Sequence, residues 1–223
     1  MAAAYRSWYS PADPTPGARY RTTPPALAER LLACLLRHGI APPRGGRLLD
    51  FGCGVGDFAL TAVAAGIDVD AIEPDDVART SAASRGVRVR RTLEELEREG
   101  GSGAYDVITL IDVVEHVRRP LDLLRALRRV VRSTGALYLS APNYQSAQAR
   151  LLGARWDQAT NPTHLFLFSP GSMRHLLAAA GFRMAWLPGA VRDPTVGTLE
   201  GLVSVLLQQV RLSATLRVVA RPV

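Results

Sequence analysis

Leu48-Leu49-Asp50-Phe51-Gly52-Cys53-Gly54-Val55-Gly56-Asp57 decides how the rest of the chain is read. A short apolar run enters Gly-x-Gly-x-Gly, and a helical pattern follows over 57–65 until Gly66 stops it. Glycines suit places where the backbone turns sharply or where a ligand must lie against the main chain. A loop leaving the first strand of an open α/β sheet is also where such sheets bind ligands. Outward from the loop, strands are expected at 47–51, 67–72, 87–90, 105–111 and 135–141. Helices are expected between them at 57–65, 75–84, 92–99 and 120–132, with Thr92 and Glu95 spaced as a capping box. Upstream, Leu27, Leu31, Leu32 and Leu35 share a helical face that ends before Gly39. Strands alternating with helices in this way predict a parallel sheet with helices on both faces.

The tail changes character. Ser169 and Pro170 open a helix that stops at Gly181, as N-cap and first helical residue. Strands are expected at 182–187 and 215–220. Leu199, Leu202, Val203, Leu206, Leu207 and Val210 fall on one helical face, which suits packing on the sheet, a dimer contact or a lid over a greasy acceptor. Residues 1–25 carry five prolines and the aromatics Tyr5, Trp8, Tyr9 and Tyr20. They are expected to form an irregular arm, either a tail or a flap over a ligand cleft.

Glu73 closes the expected second strand, 21 residues after Gly52, followed by Pro74. A carboxylate there can accept from both hydroxyls of a ribose. A dinucleotide fingerprint would read Gly-x-Gly-x-x-Gly; here the third glycine comes one position early and Asp57 takes the last glycine's place. Acids flanking the loop, Asp50 and Asp57, repel a pyrophosphate. They suit a ligand carrying an ammonium and a sulfonium, which points from NAD toward S-adenosylmethionine. A glycine turn that merely packs helix on strand is the competing reading.

Three stretches now act as a set: the glycine loop with Glu73, Tyr105-Asp-Val-Ile-Thr-Leu-Ile-Asp-Val-Val-Glu-His-Val, and Gly135-Ala-Leu-Tyr-Leu-Ser-Ala-Pro-Asn. The set resembles the class I S-adenosylmethionine-dependent methyltransferases. Glu115-His116-Val117 followed by Pro120, and Asn161-Pro-Thr-His-Leu-Phe-Leu-Phe-Ser, are similar to the branch with quinone-biosynthesis O-methyltransferases and antibiotic and sugar methyltransferases. The resemblance implies a Rossmann-like three-layer α/β sandwich, with a seven-stranded, mostly parallel sheet whose last strand is antiparallel. It implies one methyltransferase domain over 26–223 behind the arm. It implies that Asp50, Gly52, Cys53, Gly54, Gly56, Glu73, Pro74, Ile111 and Asp112 hold S-adenosylmethionine, leaving S-adenosylhomocysteine as product. Where many relatives place an acid after the third strand to face adenine, this chain reads Arg90-Arg91-Thr92-Leu93-Glu94, so the adenine contact is not legible.

A hydroxyl acceptor is a poor nucleophile at neutral pH, and a general base gains roughly 100- to 10,000-fold. His116 is the first candidate, at the rim after the fourth strand; a loop histidine positioning Glu115 or a carbonyl is the alternative. His164 is the weaker candidate, between Pro162 and an aromatic run. Asn143, Tyr144 and Trp156 are weaker candidates for lining the acceptor pocket. No metal site is expected.

Composition removes other classes. All 27 basic residues are arginine, so a Schiff-base lysine, a usual pyridoxal-phosphate enzyme and a Walker-type lysine are excluded. The net charge of +7 allows acidic partners, but no long basic stripe with interleaved aromatics marks a nucleic-acid surface. Arg125, Arg128, Arg129 and Arg132 read first as a solvated helix face. Two cysteines, Cys34 and Cys53, exclude a disulfide framework and suit a cytoplasmic setting. No apolar run reaches the roughly 18 residues of a membrane span. The leading expectation is O-methylation of a small molecule in a biosynthetic pathway. N- or C-methylation, RNA or protein methylation, and a catalytically silent cofactor-binding partner subunit are the alternatives. Oligomeric state is not legible.

Overall fold

The computed structural model describes residues 25–40, 42, 45–100, 105–186 and 213–223. The arm and the apolar face over 199–210 lie outside them. The first helix, α1 (Pro25–Arg37), leads to β1 (Arg47–Phe51), α2 (Asp57–Ala64), β2 (Asp68–Ile72), α3 (Asp76–Ser84), β3 (Val89–Arg90) and α4 (Leu93–Arg98). Then come β4 (Tyr105–Ile111), a 3-10 turn (Val114–His116), α5 (Pro120–Val130) and β5 (Val131–Pro142). Two short helices, α6 (Ala147–Leu152) and α7 (Asp157–Thr160), precede α8 (Pro170–Ala179), β6 (Phe182–Trp186) and β7 (Thr215–Pro222).

The seven strands run in the order β3-β2-β1-β4-β5-β7-β6. β1 pairs in parallel with β2 and β4, and β7 runs antiparallel to both β5 and β6. The reversal of strand order lies between β1 and β4, where open sheets place their ligands. Neighbouring residues of the central strands serve opposite faces, as a period of two requires. Leu48, Val107, Tyr138 and Val219 pack under α1 and α2, against Leu32, Leu35, Phe58 and Ala62. Leu49, Ile108, Leu137 and Val218 pack under α5 and α8, against Leu124, Leu127, Met173 and Leu177. Both faces are therefore dry, and truncating Leu49 to alanine would cost about 2–5 kcal/mol.

Local signals mostly hold. Ser169 caps α8 through the Ser172 amide, with Pro170 at the first position. Thr92 caps α4 by accepting from the Glu95 amide at 3.3 Å, but the Glu95 carboxylate takes the Arg91 amide rather than closing the box on Thr92. The largest boundary shift is here: α5 ends at Val130, not at Arg132, and β5 starts at Val131. Pairing of Val131 with Tyr105 outweighs the helix preference of the arginines, and a register shift follows before Val107 meets Ala136. No helix among the described residues is long and apolar enough to cross a membrane.

Candidate active site

The glycine loop leaves β1 with Gly52 at φ 78°, Gly54 at φ 56° and Gly56 at φ 88°. Two of these glycines are also locked by neighbours. A Cβ at Gly52 would sit 2.5 Å from Val113 Cγ2, and one at Gly56 would sit 2.7 Å from Val87 Cγ2. Gly54 differs: a Cβ there would meet nothing within 4 Å. The middle glycine thus borders open space, which is where a ligand can lie on the backbone.

Glu73 is buried at the end of β2 and is bonded into this loop. Its Oε2 accepts from the Gly54 amide at 2.8 Å and its Oε1 from the Asp75 amide at 2.9 Å. Each carboxylate oxygen keeps a second lone pair, so two further donors, such as ribose hydroxyls, can be accepted. Burial raises the Glu73 carboxyl above its ordinary range, against the pull of the two amides. Pro74 carries the chain from Glu73 to Asp75, which caps α3 through the Val77 and Ala78 amides. The carbonyls of Glu73 and Pro74 both accept from Arg79 at 3.1 Å.

Asp50 lies lower. It is 2% exposed, Thr109 donates to its Oδ1 at 2.8 Å, and its Oδ2 is sealed from solvent without a partner. Its carboxyl is pushed up to about 7, first by burial and further by the nearby Glu73. The Asp50 carboxyl is therefore closed to solvent beneath the loop. Cys53 has a thiol raised by burial and by the Asp50 and Glu73 carboxylates, and its Sγ faces the Gly54 carbonyl. It is a poor nucleophile there.

At the end of β4, Ile111 is half-buried and Asp112 takes φ 53°, the only positive φ at a non-glycine among the described residues. Ser140 donates to Asp112 Oδ1 at 2.8 Å, and the Asp112 amide reaches Ser140 in return. Such a conformation costs roughly 1–3 kcal/mol and persists where its surroundings enforce it. Asp112 stays exposed, and its charge acts on both residues of the next turn, Glu115 and His116.

The two histidines come together, with ring centroids 4.8 Å apart and planes at 65°. His116 Nδ1 meets the Thr163 carbonyl at 2.8 Å. A carbonyl only accepts, so Nδ1 carries the proton and Nε2 keeps its lone pair. Burial pulls the His116 pKa below its ordinary 6.5, so the ring is neutral at pH 7. His164 has both nitrogens engaged: Nδ1 on the Gln158 carbonyl at 2.9 Å, and Nε2 with the Asn161 amide at 3.1 Å. Asn161 is oriented in turn, because its Oδ1 accepts from Thr163. His164 is thus a fixed buttress.

Glu115 lies beneath. Its backbone carbonyl ties down Leu165 and Phe166, while both carboxyl oxygens are sealed and unpartnered, and its pKa is pushed up to about 8. Glu115, His116 and His164 offer cation ligand types within 4.8 Å of one another. Yet the carboxyl is sealed and His164 is fully engaged, leaving His116 Nε2 as the open atom.

The weaker pocket candidates separate. Tyr144 is 58% exposed at the rim, with Leu165 and Phe166 also exposed nearby. Asn143 is a corner: it bonds the Ser213 carbonyl, the Gln145 amide and the Ala214 carbonyl. Trp156 is 1% exposed, in the interior. Sequence reasoning passed over Thr109, Ser140, Asn161 and Thr163. The first two had a signal, each being a small hydroxyl residue flanked by apolar residues inside a strand.

A family model described as a methyltransferase domain matches residues 20–185. The ubiquinone biosynthesis O-methyltransferase of Azorhizobium caulinodans is 32% identical over 183 residues, covering 73% of this chain and 71% of that protein. The protein of the same name from Pectobacterium carotovorum is 34% identical over 164 residues, covering 67% and 68%. Among solved structures, an S-adenosylmethionine-dependent methyltransferase from Archaeoglobus fulgidus superposes with a TM-score of 0.63 at 17% identity, covering 90% of this chain and 95% of that one. Magnesium protoporphyrin IX methyltransferase from Synechocystis, solved with bound SAH, gives 0.60 at 17% identity, covering 89% and 83%. With its glycine loop, the buried acid after β2 and the switched strand order, the chain belongs to the methyltransferase family, in the class I, S-adenosylmethionine-dependent group that includes the ubiquinone-biosynthesis O-methyltransferases.

Proposed function

We propose that this protein transfers a methyl group from S-adenosylmethionine to a hydroxyl oxygen of a small-molecule biosynthetic intermediate, with His116 as general base. The observation that carries the reading is the His116 tautomer: Nδ1 is spent on the Thr163 carbonyl, and the neutral ring presents Nε2. The relatives named for ubiquinone biosynthesis support an oxygen acceptor. Exposed Tyr144, Leu165 and Phe166 at the rim favour an acceptor with apolar surface.

The loop fits the cofactor: the open backbone at Gly54 accommodates its body, and Glu73 has lone pairs left for its ribose. When bound, S-adenosylmethionine supplies a methyl group on a sulfonium, ready for displacement. The chain's task is alignment, which can account for roughly 7–11 kcal/mol of a barrier, and removal of one proton. His116 Nε2 takes the acceptor's hydroxyl proton. The Nδ1–H bond to Thr163 strengthens as the ring becomes cationic, and the Asp112 charge favours the cation. His164, held at both nitrogens, keeps the ring from turning.

His116→Ala is expected to cut turnover about 100-fold or more while leaving cofactor affinity unchanged. Wild-type kcat/KM should fall as pH drops through a value below 6.5, where Nε2 is protonated. Acceptors come from metabolite extracts screened for a gain of one methylene. Near-wild-type turnover in the variant removes His116 as base. Cofactor binding with no product from any extract favours a silent partner subunit.

A further inference from the structure

Beneath the glycine loop sits a charge problem that the transfer itself does not need. Asp50 is buried at the end of β1, and one carboxyl oxygen has no partner and no access to water. Its single donor is the hydroxyl of Thr109, 0% exposed on the paired strand β4. The other groups facing Asp50 are Glu73 at the end of β2 and the Cys53 thiol of the loop, which burial keeps neutral. Among the described residues no cation stands with them. A carboxylate in such a place is disfavoured until a positive charge arrives nearby.

The two nucleotides that occupy this loop in turn differ by one charge. The cofactor carries a sulfonium that its product lacks; their amino acid and ribose parts are the same. We propose that Asp50, held by Thr109, is a buried charge sensor that makes the site favour the cationic cofactor over its neutral product. The O–H bond of the Asp50 carboxyl breaks as the cation binds, and the proton passes to water. When the product takes the site, the carboxylate recovers a proton from water. Thr109 is the positioning residue: its hydroxyl stabilises the carboxylate and sets how readily the proton leaves. Burial pushes the Asp50 carboxyl up to about 7, which puts this exchange in the neutral range. The inference rests on the loop being the S-adenosylmethionine site.

The test is calorimetric titration of the full chain with S-adenosylmethionine and, separately, S-adenosylhomocysteine, in two buffers of different ionisation enthalpy at pH 7. The amino group is common to both ligands, so the difference in proton release isolates the sulfonium. Wild type is expected to release a measurable fraction of a proton more with the cofactor than with the product. Its preference for the cofactor should grow several-fold from pH 6 to pH 8. Asp50→Asn should bind both, without the extra proton and with a preference independent of pH. Thr109→Val should shift the pH dependence upward, and Thr109→Ser should restore it. Equal proton release with the two ligands, or an unchanged profile in Asp50→Asn, overturns the sensor while leaving the cofactor site intact. Failure of wild type to bind either nucleotide overturns the cofactor reading itself, and the sensor with it.

Discussion

Buried carboxylates at the two ends of this sheet meet opposite treatment. Toward the amino ends of the strands, Asp70 is 3% exposed and surrounded by partners. Arg47 reaches its Oδ2 at 2.6 Å, Tyr105 donates to the same oxygen at 2.9 Å, and Arg90 takes Oδ1 at 3.0 Å. Arg88 stands beside it and pairs with Asp68, while Asp106 is held by Arg132. These bonds hold the Asp70 carboxyl below its ordinary range in spite of burial. At the carboxyl ends, Asp50 and Glu115 are as deeply buried, yet among the described residues neither has a cation, and both are pushed up, to about 7 and about 8. Guanidinium groups are present at the carboxyl end too, Arg79 on the Glu73 and Pro74 carbonyls and Arg85 on Asp57, but among the described residues none reaches Asp50 or Glu115. The amino end is built for stability, and the carboxyl end is left with charge to be answered by what binds there.

The largest effect expected from this contrast is at Glu73. Glu73→Ala removes a carboxylate that anchors the Gly54 and Asp75 amides and has lone pairs left for a ligand. Losing charge-assisted hydrogen bonds worth about 3 kcal/mol in total should weaken cofactor binding about 100-fold. Calorimetric titration reads the loss, and circular dichroism should show the fold retained. Unchanged affinity would take Glu73 out of the site and erase the contrast.

The counterpart at the other end is Asp70→Asn. Removing one partner of a buried ion-pair cluster costs 3–5 kcal/mol when the site is dry. Here the guanidinium groups of Arg47, Arg88 and Arg90 are about 26–55% exposed, so water screens part of that loss. About 2 kcal/mol is expected in denaturant unfolding, with cofactor affinity unchanged. A variant that unfolds normally but binds poorly would show that the two ends are coupled.

The alternation of strands and helices, the glycine loop and Glu73 were legible because each is local: a period, a turn residue, a spacing. The same locality explains what was missed. Thr109 meets Asp50 only because β4 pairs with β1, and Ser140 meets Asp112 only because β5 pairs with β4. His116 and His164 were legible as residue types. Their division into one ring bonded at Nδ1 alone and one held at both nitrogens depends on the Thr163 and Gln158 carbonyls, which no spacing rule finds. Trp156, read as a possible pocket aromatic, lies in the interior, as large apolar side chains usually do. The boundary between α5 and β5 was misplaced because strand pairing, a long-range effect, decided it.

Glu115 gives the most discriminating effect. Its carboxyl ordinarily titrates near 4.5 and is pushed up to about 8, first by burial and then by the Asp112 charge. The folded protein therefore keeps a proton that the unfolded chain has released between those two values. Stability contributed by this group is full below 4.5 and falls as pH rises, until about pH 8, where both states are ionised. The slope is on the order of 1 kcal/mol per pH unit at its steepest. Glu115→Gln removes the titration but brings an amide that also lacks partners, so the variant should melt near or slightly below wild type at pH 5. Its Tm relative to wild type should then rise to about pH 8 and level off. A flat difference would mean that the Glu115 carboxyl is already ionised in solution.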